Sequence, residues 1–309
     1  MKIAVVGAGG VGGYFGALLA THGHEVHLIA RGEHLQTIRK NGLFVSSPNG
    51  DFHTSSINAT DTPSEAGIAD AVIVAVKGWQ LEEVVPLIAK LCGPDTLILP
   101  LLNGVEATDT LHRQLENGIV LNGLCGIIAK IDSPGKITHV AIDPFVKFGT
   151  KDKSIELDQL KKAFSDCGVD AQIPNDITRA IWMKFLFIAP LSGVTSLTRA
   201  TIDIVRTLPG TREMLGGAIT EAMFVGRSLG VNLGNDDVDA TLAMIDNTPV
   251  GGTTSMQRDV QAASPSELDT QTGAIVRLGE ECNIDTPVNN FIYRALLPQE
   301  HAARGMQIC

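Results

Sequence analysis

The run Gly7-Ala8-Gly9-Gly10-Val11-Gly12 constrains this chain more than any other stretch. It follows Lys2-Ile3-Ala4-Val5-Val6, a short β-branched run that reads as a buried strand. It opens Val11–His22, a helix-like run, and Glu25–Ala30 then reads as a second strand. The result is a βαβ unit with G-x-G-x-x-G at its first turn. Gly7 permits the tight turn, Gly9 lets backbone N–H groups approach a pyrophosphate, and Gly12 lets helix lie close on strand. The positive end of the helix dipole then faces the phosphates. The motif in this setting predicts a dinucleotide site made of Gly7, Ala8, Gly9, Gly10, Val11 and Gly12. The competing reading, a secretory signal, fails on glycine density and on the lack of a cleavage site leading into a mature domain.

The end of the second strand selects the cofactor. An NAD site places Asp or Glu there to accept from the ribose 2′-hydroxyl. Here the strand ends Ala30-Arg31-Gly32. An arginine suits a 2′-phosphate, so the expected cofactor is NADP(H).

The 309 residues suffice for one large or two ordinary domains. The net charge of −10 argues against nucleic acid or an anionic membrane as the main partner. Cys92, Cys125, Cys167, Cys282 and Cys309 are scattered, without a C-x-x-C pair, and read as reduced cytoplasmic thiols. His22, His24 and His27 straddle a helix end, a turn and a strand, so no metal site is expected. No apolar run is long and glycine-poor enough to span a bilayer.

Along the chain, 32–40 reads as a helix, 43–58 as an inserted hairpin and 69–76 as the clearest parallel strand. That strand delivers Lys77-Gly78-Trp79-Gln80, and the strand at 96–100 delivers Leu102-Asn103-Gly104-Val105. Ligands of doubly wound sheets sit beyond the carboxyl ends of the strands, so Gly7–Gly12, Lys77 and Asn103 are expected to converge on one crevice. Further strand-like pieces lie within 119–146, a helix is expected at 154–167 and a last strand at 169–173. After Pro174 the strand patterns stop. Helices are expected at 176–191, 211–230, 236–245, 254–263, 268–282 and 288–297. The fold class is α/β: a Rossmann-like dinucleotide-binding domain at 1–173, then an all-helical C-terminal substrate domain at 174–309.

Two stretches of the helical half carry chemistry. Ile181–Ala189 is apolar except for Lys184, so its helix should be buried all round. A buried ammonium is costly unless paired or functional, and its pKa is readily lowered, which suits a general acid. A lysine that snorkels to the surface is the simpler alternative. Thr254 or Ser255 can cap a following helix, and Ser266 can cap the next, with Glu267 in its first turn. Helix starts of this kind also suit a carboxylate.

Taken in order, Gly7–Gly12, Arg31, Lys77-Gly78-Trp79-Gln80, Leu102-Asn103-Gly104-Val105, Trp182-x-Lys184, Thr254-Ser255-Met256-x-x-Asp259 and Glu267 make the chain resemble the ketopantoate reductase (2-dehydropantoate 2-reductase) family over nearly its whole length. That resemblance implies Lys184 as proton donor to the keto oxygen. It implies Glu267 as the acid that orients this lysine or holds the substrate and ribose side. Ser255 would contact the substrate carboxylate, and Asn103 would lie beside nicotinamide and substrate. Arg31 and Lys77 would contact the cofactor. The implied reaction is hydride transfer from NADPH to ketopantoate in pantothenate biosynthesis.

The chain departs from the family's pattern at one point. The family places asparagines four and eight residues after the lysine, whereas this chain has Ile188 and Ser192. Isoleucine cannot make that hydrogen bond, which opens a second reading: reduction of a different, more apolar 2-oxo acid. A third reading, an NADP(H)-binding redox sensor, needs Gly7–Gly12 and Arg31 but not Lys184, Ser255 and Glu267 together. The helical domain offers surface for a homodimer, although no pattern in the sequence marks one.

Overall fold

A computed structural model describes residues 1–306 and divides the chain into two compact units. Met1–Leu102 with Ala107–Ile177 form the first, and Asn103–Glu106 with Thr178 onward form the second. The sequence-based boundary after residue 173 falls between the last strand and the long helix that follows. Cys309 lies outside the described residues.

In chain order the first unit holds β1 (Lys2–Val6), α1 (Gly10–Thr21), β2 (Glu25–Ile29), α2 (Gly32–Asn41), β3 (Leu43–Ser46), β4 (Phe52–Thr54), β5 (Asn58–Thr60), α3 (Pro63–Ala66), β6 (Ala71–Val74), α4 (Leu81–Ala89), β7 (Leu97–Pro100), α5 (Ala107–Gln114), β8 (Ile119–Val120), β9 (Asn122–Ser133), β10 (Lys136–Gly149), α6 (Asp158–Ser165) and β11 (Asp170–Gln172). Six strands make an all-parallel sheet in the order β5-β2-β1-β6-β7-β8. The strand order reverses at β1, as doubly wound nucleotide-binding sheets require. Both faces are covered. Ile3 and Val5 of β1 join one core with Ile73, Leu99 and the α1 side chains Phe15 and Leu19. Ala4 and Val6 join another with Val72, Val74, Val85 and Ile88. This explains why the strands read as unbroken apolar runs rather than alternating ones.

The strand pieces expected within 119–146 are longer than anticipated. β9 and β10 form an antiparallel hairpin that turns at Pro134-Gly135 and belongs to a second sheet, β11-β10-β3-β4, with β9 on β10. The inserted hairpin at 43–58 supplies β3 and β4 to that sheet. α1 makes contacts with β2 of the first sheet and with β9 and β10 of the second, so a helix that is apolar all round finds apolar neighbours all round. The helix expected over 154–167 is shorter. Asp152 accepts from the Ser154 backbone N–H at 2.9 Å and from its hydroxyl, which holds a turn there, and α6 begins at Asp158.

The second unit is helical: α7 (Ile177–Thr198, counted from its first residue), α8 (Ile202–Thr207), α9 (Pro209–Ser228), α10 (Asn235–Asp246), α11 (Ser255–Gln261), α12 (Ala274–Cys282) and α13 (Pro287–Ala303). α8 has no counterpart in the sequence-based expectations. α7 runs through Pro190 to Thr198 instead of stopping near Leu191, because Val194 belongs to the same buried cluster as Leu186 and Ile219. Core burial there outweighs the proline penalty. A π-helical turn, Asp269–Gly273, replaces the start of the helix expected from Leu268. The expectation that no run is long and apolar enough to span a bilayer is corrected at α7, which passes that test by length and composition, although 61% of its most apolar window is buried inside the protein.

Candidate active site

The first unit contributes a site built mainly from backbone. The β1–α1 turn begins at Gly7, whose φ of +100° L side chains rarely adopt; a Cβ there would lie 2.8 Å from the Ala75 carbonyl oxygen. A Cβ on Gly12 would lie 2.0 Å from the Gly7 carbonyl oxygen. These two positions accept glycine alone. Gly9 differs, since a Cβ there would meet nothing within 4 Å. The open space lies at the N-terminus of α1. Gly9 caps this helix without a side-chain hydrogen bond, and its first turn holds no acid. A phosphate group therefore fits the turn: the N–H groups and the dipole are left for a ligand. Ala8 is buried, Gly10 opens the helix and Val11 is half-buried.

Arg31 follows β2 and is the N-cap residue of α2, and Lys77 stands just after β6. β2, β1 and β6 are neighbours, so Arg31, the glycine turn and Lys77 share one carboxyl edge of the sheet. Arg31 is largely exposed and makes a 3.5 Å ion pair with the equally exposed Glu83. Such a pair is screened by solvent and holds the guanidinium weakly. Lys77 starts a 3₁₀ turn, Gly78–Gln80, in which the Gln80 side chain accepts from the Lys77 backbone N–H at 3.2 Å.

The second unit contributes a site built from side chains. Asn103 stands three residues beyond the end of β7, yet the segment 103–106 belongs with the helices. Three contacts bind it there. Gly104, with φ of +103°, lies so close to Thr270 that a Cβ would come within 2.8 Å of its carbonyl oxygen. Arg277 donates to both carboxylate oxygens of Glu106, at 3.2 and 2.7 Å. Asn103 Nδ2 donates to Glu267 Oε2 at 3.1 Å. Asn103 thus follows the carboxyl end of β7, as expected, and the loop that carries it is stapled to the helical unit.

Glu267 is buried and accepts a second amide N–H on the same oxygen, from Gln271 Nε2 at 3.2 Å. Hydrogen bonds to a charged group contribute ~1.5–3 kcal/mol each, so the carboxylate is firmly oriented. Its backbone is clamped as well. Ser266 N–H donates to both oxygens of the buried Glu300, at 3.0 and 3.1 Å, and its hydroxyl donates to Glu300 Oε2. Arg304 ties the far side, donating to Glu300 Oε1 at 2.7 Å and to the Ser266 carbonyl at 3.1 Å. Ser266 also caps, accepting from the Leu268 N–H at 3.2 Å.

Between the two capping candidates in the Thr254-Ser255 pair, the structure selects Thr254, which is buried and accepts from the Gln257 N–H at 3.2 Å. Ser255 is thereby the first helical residue of α11 and stays half-buried. Thr195 of α7 lies 3.3 Å from Thr254, hydroxyl to hydroxyl, which ties α11 to the helix that carries Lys184.

α7 is not buried all round, contrary to the sequence-based expectation. Trp182, Phe185, Leu186 and Ala189 are buried, while Ala180, Ile181, Lys184, Phe187 and Ile188 are only partly so. The second group recurs at helical spacing and so shares one face. The long stem of Lys184 thus lies on a half-open apolar face. Ile188 sits one turn beyond it on that face. Ser192 is fully buried, and its hydroxyl has no hydrogen-bond partner among the described residues.

Two features escaped the sequence reading: the Glu106–Arg277 staple and Gln271. The first joins residues 171 apart in sequence and left no local signal. The second did leave one, since Gln271 is four residues after Glu267 and faces it on a helical turn.

Comparison with known proteins agrees with both units. A model of the ketopantoate reductase PanE/ApbA family matches residues 3–153, and a model of that family's C-terminal domain matches 176–300. An uncharacterised oxidoreductase of Bacillus subtilis, YkpB, is 29% identical over 96% of this chain and 98% of its own. A 2-dehydropantoate 2-reductase of Porphyromonas gingivalis has a solved structure with TM-score 0.84 and 30% identity, covering 96% of this chain and 99% of its own. A PanE/ApbA family ketopantoate reductase of Ralstonia eutropha superposes with TM-score 0.89 at 28% identity, covering 98% and 100%. The chain is an oxidoreductase of the nicotinamide-dependent kind that acts on CH–OH groups, and it belongs to the ketopantoate reductase PanE/ApbA family.

Proposed function

We propose that the protein reduces a 2-oxo acid to the 2-hydroxy acid with NADPH, and that ketopantoate, giving (R)-pantoate for pantothenate biosynthesis, is its substrate. The observation that carries this reading is the doubly held carboxylate of Glu267, with Asn103 on one of its oxygens, in a chain that also supplies Lys184 and Ser255.

In this reading residues 1–173 hold the cofactor and residues 174–309 the substrate, with Asn103 serving both. The turn from Gly7 to Gly12 takes the pyrophosphate on the α1 N-terminus. Arg31 exchanges Glu83 for the 2′-phosphate, which accounts for NADP(H) over NAD(H), and Lys77 contacts the same cofactor. When bound, the reduced nicotinamide supplies the hydride. Lys184 Nζ gives a proton to the keto oxygen as negative charge develops there, and its own positive charge stabilises that oxygen. Glu267 either orients this ammonium or holds the substrate and ribose side. Ser255, at the start of α11, takes the substrate carboxylate. The enzyme is cytoplasmic in this proposal. It assembles as a homodimer through its helical unit, where Phe224 and Phe291 are exposed.

A second substrate reading has its own support. On the Lys184 face of α7 the residue one turn on is Ile188, flanked by Phe187, and the residue two turns on is a fully buried serine. The apolar part of this face, Phe187 and Ile188, suits a 2-oxo acid with a more apolar side chain than ketopantoate.

The test of the mechanism is Lys184→Ala. A proton donor contributes about 10²- to 10⁴-fold, so kcat falls by that factor. NADPH binding, followed by cofactor fluorescence, stays at the wild-type value. Unchanged turnover would remove Lys184 from the reaction.

A further inference from the structure

Gln271 is one of the few large polar side chains in the helical core that is completely buried. Its amide nitrogen donates to Glu267 Oε2, while its amide oxygen has no hydrogen-bond partner among the described residues. A buried acceptor left unmet is costly, and a leucine would fill similar space without that penalty. The orientation is nonetheless the only useful one, because a flipped amide would set its oxygen against a carboxylate oxygen. The side chain thus forgoes half of its hydrogen-bonding capacity to hold one atom of Glu267.

The backbone around it is arranged to the same end. The Gln271 N–H still donates to the Glu267 carbonyl at 3.0 Å, an α-helical bond that keeps the two side chains on one face. Directly afterwards the helix widens, and the Gly273 N–H reaches the Leu268 carbonyl at 2.9 Å, five residues back. Such π-helical turns often mark functional sites. This one is braced from outside: the Tyr293 hydroxyl donates to Asp269 Oδ1 at 3.0 Å, and a Cβ on Gly273 would come within 2.8 Å of the Tyr293 ring.

We infer that Gln271 is a positioning residue of the reaction: together with Asn103 it fixes the rotamer of Glu267, and it touches neither substrate nor cofactor itself. The inference rests on the proposal that Glu267 acts in turnover.

The experiment uses the full chain and the 2-oxo acid it reduces fastest. Gln271→Leu and the nearly isosteric Gln271→Met are compared with wild type, with Glu267→Gln and with both double variants. For each, kcat, KM, NADPH affinity and thermal midpoint are measured. Losing one hydrogen bond to a charged group lowers kcat about ten- to hundredfold in the single variants. KM and NADPH affinity change less than about threefold, and the midpoint is kept or raised. On the Glu267→Gln background the same substitutions change kcat by less than about twofold, because the group they act through is already gone. Equal losses on both backgrounds, or full kcat in both single variants beside a disabled Glu267→Gln, would overturn the inference alone. Full kcat in Glu267→Gln would overturn the assignment of Glu267 and this inference with it.

Discussion

The glycine turn of the first unit and the carboxylate centre of the second solve different problems with different materials. In the turn the backbone is what is presented, and side chains matter by being absent: Gly7 and Gly12 leave no room for a Cβ, whereas Gly9 leaves space. The carboxylate centre is built from side chains brought together from segments more than 160 residues apart, Asn103 and Glu267, and is held by a shell of further side chains. A backbone site is encoded in one short run of sequence. A side-chain site is encoded in pairings that exist only after folding.

The sharpest way to break this contrast is at the glycines. Gly12→Ala forces a contact no real Cβ makes and should cost about 3 kcal/mol or more, since neighbouring backbone must move. The expected outcome is a first unit that melts early or fails to express. Gly9→Ala should leave the thermal midpoint within about two degrees of wild type. It should weaken NADPH binding at least about tenfold, because its methyl fills the space kept for phosphate. Loss of stability in Gly9→Ala with cofactor affinity intact would reverse the roles given to the two positions.

Arg31 tests whether the backbone site needs a side chain for its selectivity. Arg31→Ala should lower NADPH affinity about ten- to hundredfold, the ~1.5–3 kcal/mol of a charge-assisted contact, and leave NADH nearly unchanged. Equal binding of the two reduced cofactors by the wild-type chain would remove the argument. The smallest effect is expected from Ile188→Asn. It should move the kcat/KM ratio of ketopantoate to an apolar 2-oxo acid by about tenfold toward ketopantoate, the worth of one polar contact. Movement in the other direction would show that Ile188 does not line the acyl side chain.

Legibility followed the same divide. The βαβ turn, the strand ends carrying Arg31 and Lys77, and the change to helices after Pro174 could be read directly, because each depends on local spacing or on runs of residue type. The shape of α7 could not. Its apolar composition pointed to complete burial, but composition does not say that Lys184, Phe187 and Ile188 lie on a face the helical core leaves half-open. Nor could the sequence tell that Asn103 belongs with the helices, since Gly104, Glu106 and their partners Thr270 and Arg277 meet only through tertiary contact. The π-helical turn was equally hidden, because Asp269–Gly273 carries nothing that distinguishes it from an ordinary helix start.

The most direct measurement is the rate of NADPH oxidation by purified protein with ketopantoate and with a panel of other 2-oxo acids. The expected result is NADPH-dependent reduction, with ketopantoate turned over fastest. If ketopantoate is inert and a more apolar 2-oxo acid reacts, the proton donor stands and the Ile188 face has been retuned. No reduction of any 2-oxo acid, with NADPH bound, would contradict the assignment of Lys184, Ser255 and Glu267 to a reductase site.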